Sequence, residues 1–199
     1  MNRAPLLVLA GLSLWAQSDL PPDENPRFFP PHIFAVGYSD GDFTARWYAK
    51  VLRALEEPSL LDASAAETVY RFTCIPTWTQ PIAIRITTKR GAPSTLLIKM
   101  MSGQGGYDVG HIVKNEERDL PAAQRDRVLA LITKMNFWKM PTEEWHPRSV
   151  VLDGTAWILE ASDHGTYHVV DRTSPTQGAF WHLGHYLVQT LGRIPNAGL

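Results

Sequence analysis

Residues 152–175, L-D-G-T-A-W-I-L-E-A-S-D-H-G-T-Y-H-V-V-D-R-T-S-P, contain the clearest strand and turn pattern of this chain. Residues 156–161 and 166–172 alternate in the way that is typical of β-strands, because successive side chains of a strand point to opposite faces of a sheet. The tripeptide Asp-His-Gly at 163–165 suits a three-residue hairpin loop in which the glycine takes the left-handed conformation. The stretch therefore predicts a β-hairpin, which a C-terminal helix follows.

The three-residue loop sets the predicted register of this hairpin. It pairs Ser162 with Thr166 and places Glu160 opposite His168, with Arg172 on the same face. A carboxylate beside an imidazole raises the pKa of the imidazole and is suited to acid–base chemistry. The same pair also occurs as a structural cross-strand contact, which stabilises a sheet by about 0.2–1 kcal/mol. Glu160 and His168 are thus candidate catalytic residues and Arg172 a candidate anion holder, whereas a four-residue loop would separate the pair.

The motifs of the hairpin are similar to those of a known group of proteins. D-G-x-x-W-x-L-E at 153–160 and G-x-Y-H-x-V-x-R-x-S-P at 165–175 resemble motifs of a family of uncharacterised bacterial exported proteins. The resemblance extends to Tyr-Arg-Phe at 70–72, S-G-x-G-G-Y at 102–107 and Phe-Trp at 137–138. It implies a shared fold and export, and it brings no activity, ligand or catalytic residue with it.

Length, charge and cysteine content exclude several classes of function. The chain has 199 residues, 19 Lys+Arg against 20 Asp+Glu and a net charge of −1. Since there is no basic stripe, we do not expect nucleic acid as a partner. The single cysteine, Cys74, excludes an intrachain disulfide and a cysteine-rich zinc site, and its apolar strand pattern predicts a buried, inert thiol.

The N-terminal residues have the pattern of an exported chain. Residues 1–17 resemble a secretory signal peptide, with Arg3 as the positive charge, an apolar core at 6–15 and Ala16 before a candidate cleavage site. The apolar run is too short to span a bilayer, so we predict no integral membrane segment in the mature chain. We expect a periplasmic or secreted protein; the alternative is an apolar extension that stays attached.

The remaining chain divides into a proline-rich segment and one domain. Residues 18–41 contain five prolines, which block helices and most sheet pairing, so they predict an extended tether. Apolar residues between 28 and 34 are candidates for docking on the domain at 42–199. The predicted elements of that domain are helices at 43–57, 121–135 and 178–192 and strands at 69–75, 81–88, 95–101 and 110–114, besides the hairpin. This order predicts an α+β domain with an antiparallel sheet and helices packed mainly on one face.

Four other features have side chains typical of ligand sites. The glycine-rich run at 102–107 lacks the Gly-Lys-Ser/Thr of a phosphate-binding loop and is predicted to be a bulged turn. Trp145, in a loop flanked by prolines, and Asp153, in a turn, are candidate binding residues, although docking of the tryptophan back onto the domain is commoner. His182 and His185 lie three apart on a predicted helix, but a metal needs more ligands. We therefore predict no metal or cofactor and keep the two histidines as an alternative.

Two functions follow from these observations. Because the chain lacks a nucleophile elbow, a metal signature and a nucleotide loop, the leading hypothesis is a monomeric, non-enzymatic exported module that binds a protein or a cell-envelope ligand. This hypothesis predicts an exposed aromatic patch. The alternative is a hydrolytic enzyme in which Glu160 and His168 supply acid–base chemistry and Arg172 holds an anionic group. It requires these three side chains to converge in a cleft.

Overall fold

The chain folds around an antiparallel sheet, seen in a computed structural model that describes residues 27–34, 41–144, 153–195, 197 and 199. The described strands are β1 (Glu67–Pro76), β2 (Ile82–Lys89), β3 (Ser94–Met101), β4 (Ile112–Leu120), β5 (Thr155–Asp163) and β6 (Thr166–Thr173). The described α-helices are α1 (Gly41–Ala54), α2 (Ala122–Lys134) and α3 (Gly178–His185). A π-helix at Tyr186–Leu191 directly follows α3. The strand order is β4-β3-β2-β1-β5-β6, and each pair of neighbours is antiparallel. The predicted α+β class is confirmed.

Both faces of the sheet are covered. Alternate residues of the central strands, such as Phe72 and Trp157, pack against α2, α3 and the π-helix, and we call this side the α2/α3 face. The residues between them, such as Ile75 and Ile158, pack against α1, and we call this side the α1 face. Two of the three described α-helices therefore share a face, and α1 covers the other.

Part of the proline-rich segment belongs to the core. The side chains of Phe28, Phe29 and Phe34 are buried against α1, where the ring of Phe34 meets that of Tyr48 edge-on at 5.3 Å between centroids. Burying three phenylalanine side chains releases several kcal/mol of hydrophobic free energy, at about 1.5–3 kcal/mol each. Residues 27–34 are thus docked on the α1 face, as the apolar residues of the segment predict.

The described helices do not include a membrane span. None of them is both long and apolar enough to cross a bilayer. The predicted signal peptide at 1–17 lies outside the described residues, so export stays a prediction.

The fourth strand is longer than its sequence pattern predicts. β4 extends through the charged run N-E-E-R-D to Leu120, whereas only its first residues, up to Lys114, have the apolar character of a strand. Among the described strands it pairs with β3 alone and so lies at an edge of the sheet, and its side chains alternate between half-buried and exposed positions. Charged residues are common on edge strands because they discourage pairing with other chains.

The predicted register of the central hairpin is wrong by one residue. Asp163 pairs with Thr166, so only His164 and Gly165 form the loop. Both have positive φ angles, 49° and 80°, which fit a type I′ turn. This two-residue turn matches the right-handed twist of the strands, and a histidine tolerates the left-handed region better than a β-branched residue would.

The shift moves the candidate catalytic residues to opposite faces. Glu160 pairs with Val169 on the α1 face, and His168 pairs with Ala161 on the α2/α3 face. The predicted Glu160–His168 contact is therefore wrong, because a slip of one residue reverses the facing of every side chain on one strand.

The α2/α3 face is organised around Trp157. Its ring contacts Phe72 edge-on at 5.4 Å between centroids, and α3 crosses it at Gly184. A Cβ atom at Gly184 would lie 2.2 Å from Cζ3 of Trp157, so only glycine allows this approach. Cys74 is buried in the same cluster, and burial raises the pKa of its thiol, which confirms the predicted buried cysteine.

Candidate functional site

Two exposed aromatic residues touch each other at one end of the sheet. Trp78, in the connection between β1 and β2, is 53% exposed, and Tyr107, in the glycine-rich loop at 102–107, is 54% exposed. Their ring centroids lie 5.1 Å apart, with 37° between the ring planes. We call Trp78 and Tyr107 the aromatic pair. Exposed aromatic rings that touch each other form a contiguous apolar surface, which is one of the features of interaction sites.

The two loops that carry the pair are bonded to each other through their backbones. The N–H of Gly105 donates to the carbonyl oxygens of Pro76 and Thr79, both at 3.1 Å. The N–H of Gly106 donates to the carbonyl oxygen of Thr77, also at 3.1 Å. The aromatic pair therefore stands on a connected backbone and not on two independent loops.

Helix α1 holds the same loop from the side. The indole Nε1 of Trp47 donates to the carbonyl oxygen of Gly105 at 3.1 Å. The pairing of β3 with β4 shifts register between Met100 and Met101, just before the loop, and strand β4 follows it. This agrees with the predicted bulged turn followed by a strand.

Replacing Gly105 with alanine is expected to separate the two loops. A Cβ atom there would lie 2.5 Å from the carbonyl oxygen of Pro76 and 2.6 Å from Cγ2 of Ile75, so the backbones must move apart. We expect the nuclear Overhauser effects between the rings of Trp78 and Tyr107 to disappear, and the free energy of unfolding to fall by about 1–3 kcal/mol. Gly91→Ala is the control for a loss of stability without a clash, because nothing lies within 4 Å of its Cβ position but its φ of +74° is strained for alanine. It should lower the free energy of unfolding and leave the contact between the two rings intact. Ring contacts that persist in Gly105→Ala would contradict the interlocked arrangement.

Glu160 belongs to a buried ion cluster on the α1 face and does not face a cleft. The Nε and Nη2 atoms of Arg71 donate to its two carboxylate oxygens, both at 2.8 Å, and the hydroxyl of Tyr167 donates to Oε1 at 3.0 Å. Burial raises the pKa of Glu160, and the guanidinium of Arg71 opposes that shift. Every carboxylate oxygen thus has a partner, which is typical of a structural ion pair.

The cluster extends across the sheet through Glu57, which follows α1. Its carboxylate lies 2.9 Å from Nε of Arg85, 3.2 Å from Nζ of Lys99 and 3.6 Å from Nη1 of Arg71. The ammonium of Lys99 also donates to the carbonyl oxygens of Leu55 and Glu56, at 2.8 and 2.9 Å. Lys99 therefore binds the carbonyl end of α1, where the helix dipole favours a cation.

His168 lies in an aromatic environment on the α2/α3 face. Its ring centroid is 4.9 Å from that of Phe137 and 6.1 Å from that of Trp138. Burial lowers its pKa, although hydrogen bonds to the backbone of Met140 and Phe137 oppose this. Since no carboxylate partner of His168 appears among the described residues, the neutral imidazole is favoured at neutral pH.

Arg172 binds the segment at 141–144, which runs beside the edge strand β6. Its guanidinium donates to the carbonyl oxygens of Pro141 and Thr142 at 3.1 and 3.0 Å, and to that of Asp171 at 2.6 Å. Its Nε lies 3.1 Å from Oε1 of Glu144. Most of its donors therefore bind protein oxygens, and the predicted role as anion holder has no geometric support.

The other candidate residues are not brought together. Asp153 is exposed in the turn before β5, and Trp145 lies outside the described residues. On α3, the rings of His182 and His185 lie 4.9 and 4.1 Å from that of Trp181, between centroids. No group of three histidine, cysteine or carboxylate side chains among the described residues is placed to hold a metal ion.

Sequence reasoning missed the aromatic pair for a physical reason. Trp78 and Tyr107 lie in different loops, and the loops meet only because β1, β2 and β3 are neighbours in the sheet. The one signal in the sequence is that each aromatic residue stands among turn-forming residues, T-W-T-Q-P and G-Q-G-G-Y. An aromatic residue in a turn has less chance of burial than one in a strand.

Comparison with known proteins adds no functional assignment to the geometry of this site. The resemblance of the hairpin motifs to a bacterial exported family stays a prediction. No protein-family model matches this chain, and no curated protein matches it either.

Proposed function

We propose that this protein is a non-enzymatic, exported binding module that captures a protein or a cell-envelope ligand on the aromatic pair. The observation that carries the proposal is the contact between two half-exposed rings, Trp78 and Tyr107, on loops whose backbones are bonded to each other. A rigid support lowers the entropy that is lost on binding, because the rings are already ordered. Tryptophan and tyrosine are also the residues that contribute most often to binding energy at interfaces.

The hydrolytic alternative has less support. It needs Glu160 and His168 in contact, and the hairpin register puts them on opposite faces of the sheet. Glu160 is saturated by Arg71 and Tyr167, which removes it from reach of a substrate. Arg172 binds main-chain oxygens and Glu144.

Replacing both Trp78 and Tyr107 with alanine is expected to weaken binding at least tenfold. The assay uses two probes, purified peptidoglycan sacculi in co-sedimentation and a periplasmic protein extract in affinity capture. We expect the unaltered chain to bind one of them saturably, and the single variants Trp78→Ala and Tyr107→Ala to lose part of that affinity, since aromatic side chains at the centre of an interface dominate its energy.

Trp138→Ala is the matched control for this experiment. Trp138 is another exposed tryptophan, but it lies beside His168 on the α2/α3 face. Its replacement should change the affinity by less than twofold, and far-ultraviolet circular dichroism should show that all variants are folded. If the unaltered chain binds neither probe, or if the double variant binds as well as the unaltered chain, the proposal is wrong.

A further inference from the structure

A groove crosses the part of the α1 face that helix α1 does not reach. It has a volume of about 420 Å³, and its lining residues come from β1, β2, β3, β4 and the turn between β2 and β3. None of the described helices contributes a residue to it. The groove lies at the end of β1 and β2 opposite to the aromatic pair, so it is a separate part of the surface.

The strand register arranges the side chains of the groove in two rows. Residues that pair directly across an antiparallel sheet share a face, with Cβ atoms about 4.5–5.5 Å apart. The rows across β2, β3 and β4 are Arg85 with Leu97 and Glu117, and Thr87 with Thr95 and Asp119. Since β2 and β4 flank β3, the two edges of the groove are two strand spacings, roughly 9–10 Å, apart.

The edge of the groove on β2 is basic. Nε of Arg85 lies 2.9 Å from a carboxylate oxygen of Glu57, and its two Nη groups have no hydrogen-bond partner among the described residues. In the buried ion cluster behind it, the cations of Arg71, Arg85 and Lys99 meet the carboxylates of Glu57 and Glu160. One positive charge is thus in excess. Arg85, with 24% of its side chain exposed, is the member of this cluster that is most open to solvent and can bind an external carboxylate.

The edge of the groove on β4 is acidic. Glu117 and Asp119 are two residues apart on a strand, so both point into the groove, and both are exposed. The cations of the same strand, Lys114 and Arg118, lie on the other face, where they pair with Glu116. Neither Glu117 nor Asp119 has an ion-pair or hydrogen-bond partner in the described part of the chain. This edge therefore favours a cationic group, and the three donors of an ammonium suit two neighbouring carboxylates.

The floor between the two edges is suited to a peptide bond. Leu97 is buried, whereas Thr87 and Thr95 are half-buried and face each other across β2 and β3. A threonine hydroxyl can donate and accept, and a peptide bond offers one N–H and one carbonyl oxygen. An extended dipeptide spans about 7 Å, which fits between the basic and the acidic edge.

We propose that this groove binds a dipeptide with free termini. The ammonium of the dipeptide lies between Glu117 and Asp119, its carboxylate accepts hydrogen bonds from the Nη groups of Arg85, and its amide lies over Thr87 and Thr95. Charges on an edge strand also discourage pairing with other chains, but that role requires neither a guanidinium nor facing hydroxyls across the sheet. The proposal does not depend on the aromatic pair, and the two can fail independently.

Titration of the full chain with alanylalanine at neutral pH tests the site, with the chemical shifts of the backbone amides as the readout. We expect saturable shifts at residues 85–87, 95–97 and 117–119. The double variant Glu117→Gln with Asp119→Asn should bind at least tenfold more weakly, because the ammonium loses both charged acceptors. Both side chains are exposed, so this variant should fold, which circular dichroism checks.

The double variant Glu116→Gln with Asp126→Asn is the matched control. It removes the same number of charges, but from side chains on the opposite side of the sheet, on β4 and α2. Its affinity for alanylalanine should stay within twofold of that of the unaltered chain. The double variant of Trp78 and Tyr107 should also bind alanylalanine normally, which separates this site from the aromatic pair.

Modified peptides test each terminus without any substitution in the protein. N-acetyl-alanylalanine lacks the ammonium and alanylalanine amide lacks the carboxylate, and each should bind at least tenfold more weakly than alanylalanine. The affinity of N-acetyl-alanylalanine should be the same for the unaltered chain and for the Glu117→Gln, Asp119→Asn variant. Equal affinity for the three peptides, or no saturable shift with alanylalanine, would overturn the proposal.

Two further measurements concern the amide and the basic edge. δ-Aminovalerate has both charges but no peptide bond, and it should bind at least threefold more weakly than alanylalanine; equal or tighter binding would overturn the assignment to a dipeptide. Arg85→Gln should weaken the binding of alanylalanine at least tenfold and that of alanylalanine amide less than twofold. If Arg85→Gln does not fold, the modified peptides still decide whether the carboxylate is bound.

Discussion

Replacing Arg71 with methionine is expected to lower the free energy of unfolding by about 3–5 kcal/mol. The side chains of Arg71 and Glu160 are both 0% exposed, and the two are joined by a pair of hydrogen bonds of 2.8 Å. Without the guanidinium, Glu160 becomes a buried charge that keeps only the hydroxyl of Tyr167 as donor. The carbonyl oxygen of Pro58, which accepts from Nη1 at 2.6 Å, loses its donor as well. Urea denaturation at neutral pH measures the loss.

Two other variants show whether the loss comes from the uncompensated charge. Lys89→Met breaks an exposed ion pair with Glu67 and is expected to cost less than about 1 kcal/mol, because solvent screens such pairs. The double variant Arg71→Met with Glu160→Met should recover much of the lost stability, since a buried ion pair is often replaced by apolar side chains at little cost. A loss below about 1 kcal/mol in Arg71→Met would show that the ion pair of Arg71 with Glu160 contributes little to the free energy of unfolding.

The stability of the protein is expected to fall as the pH rises from about 4 to about 7, through the ionisation of Asp171. Burial raises the pKa of this carboxyl from 3.8 to about 7, and the nearby charge of Glu143 adds to the shift. The hydrogen bond from Tyr48 and the charge of Arg172 oppose it. The groups that face Asp171 are therefore Tyr48 from α1, Glu143 and Glu144 from the chain beside β6, and Arg172 from β6.

The direction of the effect follows from proton linkage. The folded state binds the proton of Asp171 more tightly than the unfolded chain does, so the stability from this group is fully present below about pH 4. It is lost as the pH rises through about 7. At about 1.4 kcal/mol per unit of pKa, the interval from 3.8 to about 7 corresponds to about 4 kcal/mol.

Comparison with Asp171→Asn isolates this contribution from those of other carboxylates. The amide keeps an acceptor for the hydroxyl of Tyr48 and does not ionise. Urea denaturation from about pH 5 to about pH 9, roughly two units either side of the pKa of about 7, should show a difference in free energy of unfolding that grows with pH. If the two proteins have parallel pH profiles, Asp171 ionises as an ordinary carboxyl.

Most of the helices and strands that local sequence patterns predict are present in the structure. The apolar residues around Phe72 and Ile84 recur at every second position, as in a strand. Those of the helix predicted at 121–135, which is α2, recur with the helical period of 3.6 residues. Both periods come from backbone geometry, so the sequence shows them wherever one face of a strand or helix is apolar. The charged half of β4 was missed because an edge strand without an apolar face does not show the period.

The candidate site depended on contacts that no local pattern contains. A hairpin loop of two residues in place of the predicted three moves Glu160 and His168 to opposite faces of the sheet. The burial of Glu160 and Asp171 was also not visible, because it needs α1 and residues 27–34 to cover the second face of the sheet.

The α+β class, the antiparallel strands, the hairpin and the burial of Cys74 follow from the spacing of apolar residues along the chain. The hairpin register, the partners of Arg71 and Arg172, the contact of Trp78 with Tyr107 and the burial of Asp171 depend on how the elements pack together. Contacts between distant residues depend on which elements lie side by side, and a chain encodes that through the packing of the whole core and not through any one segment.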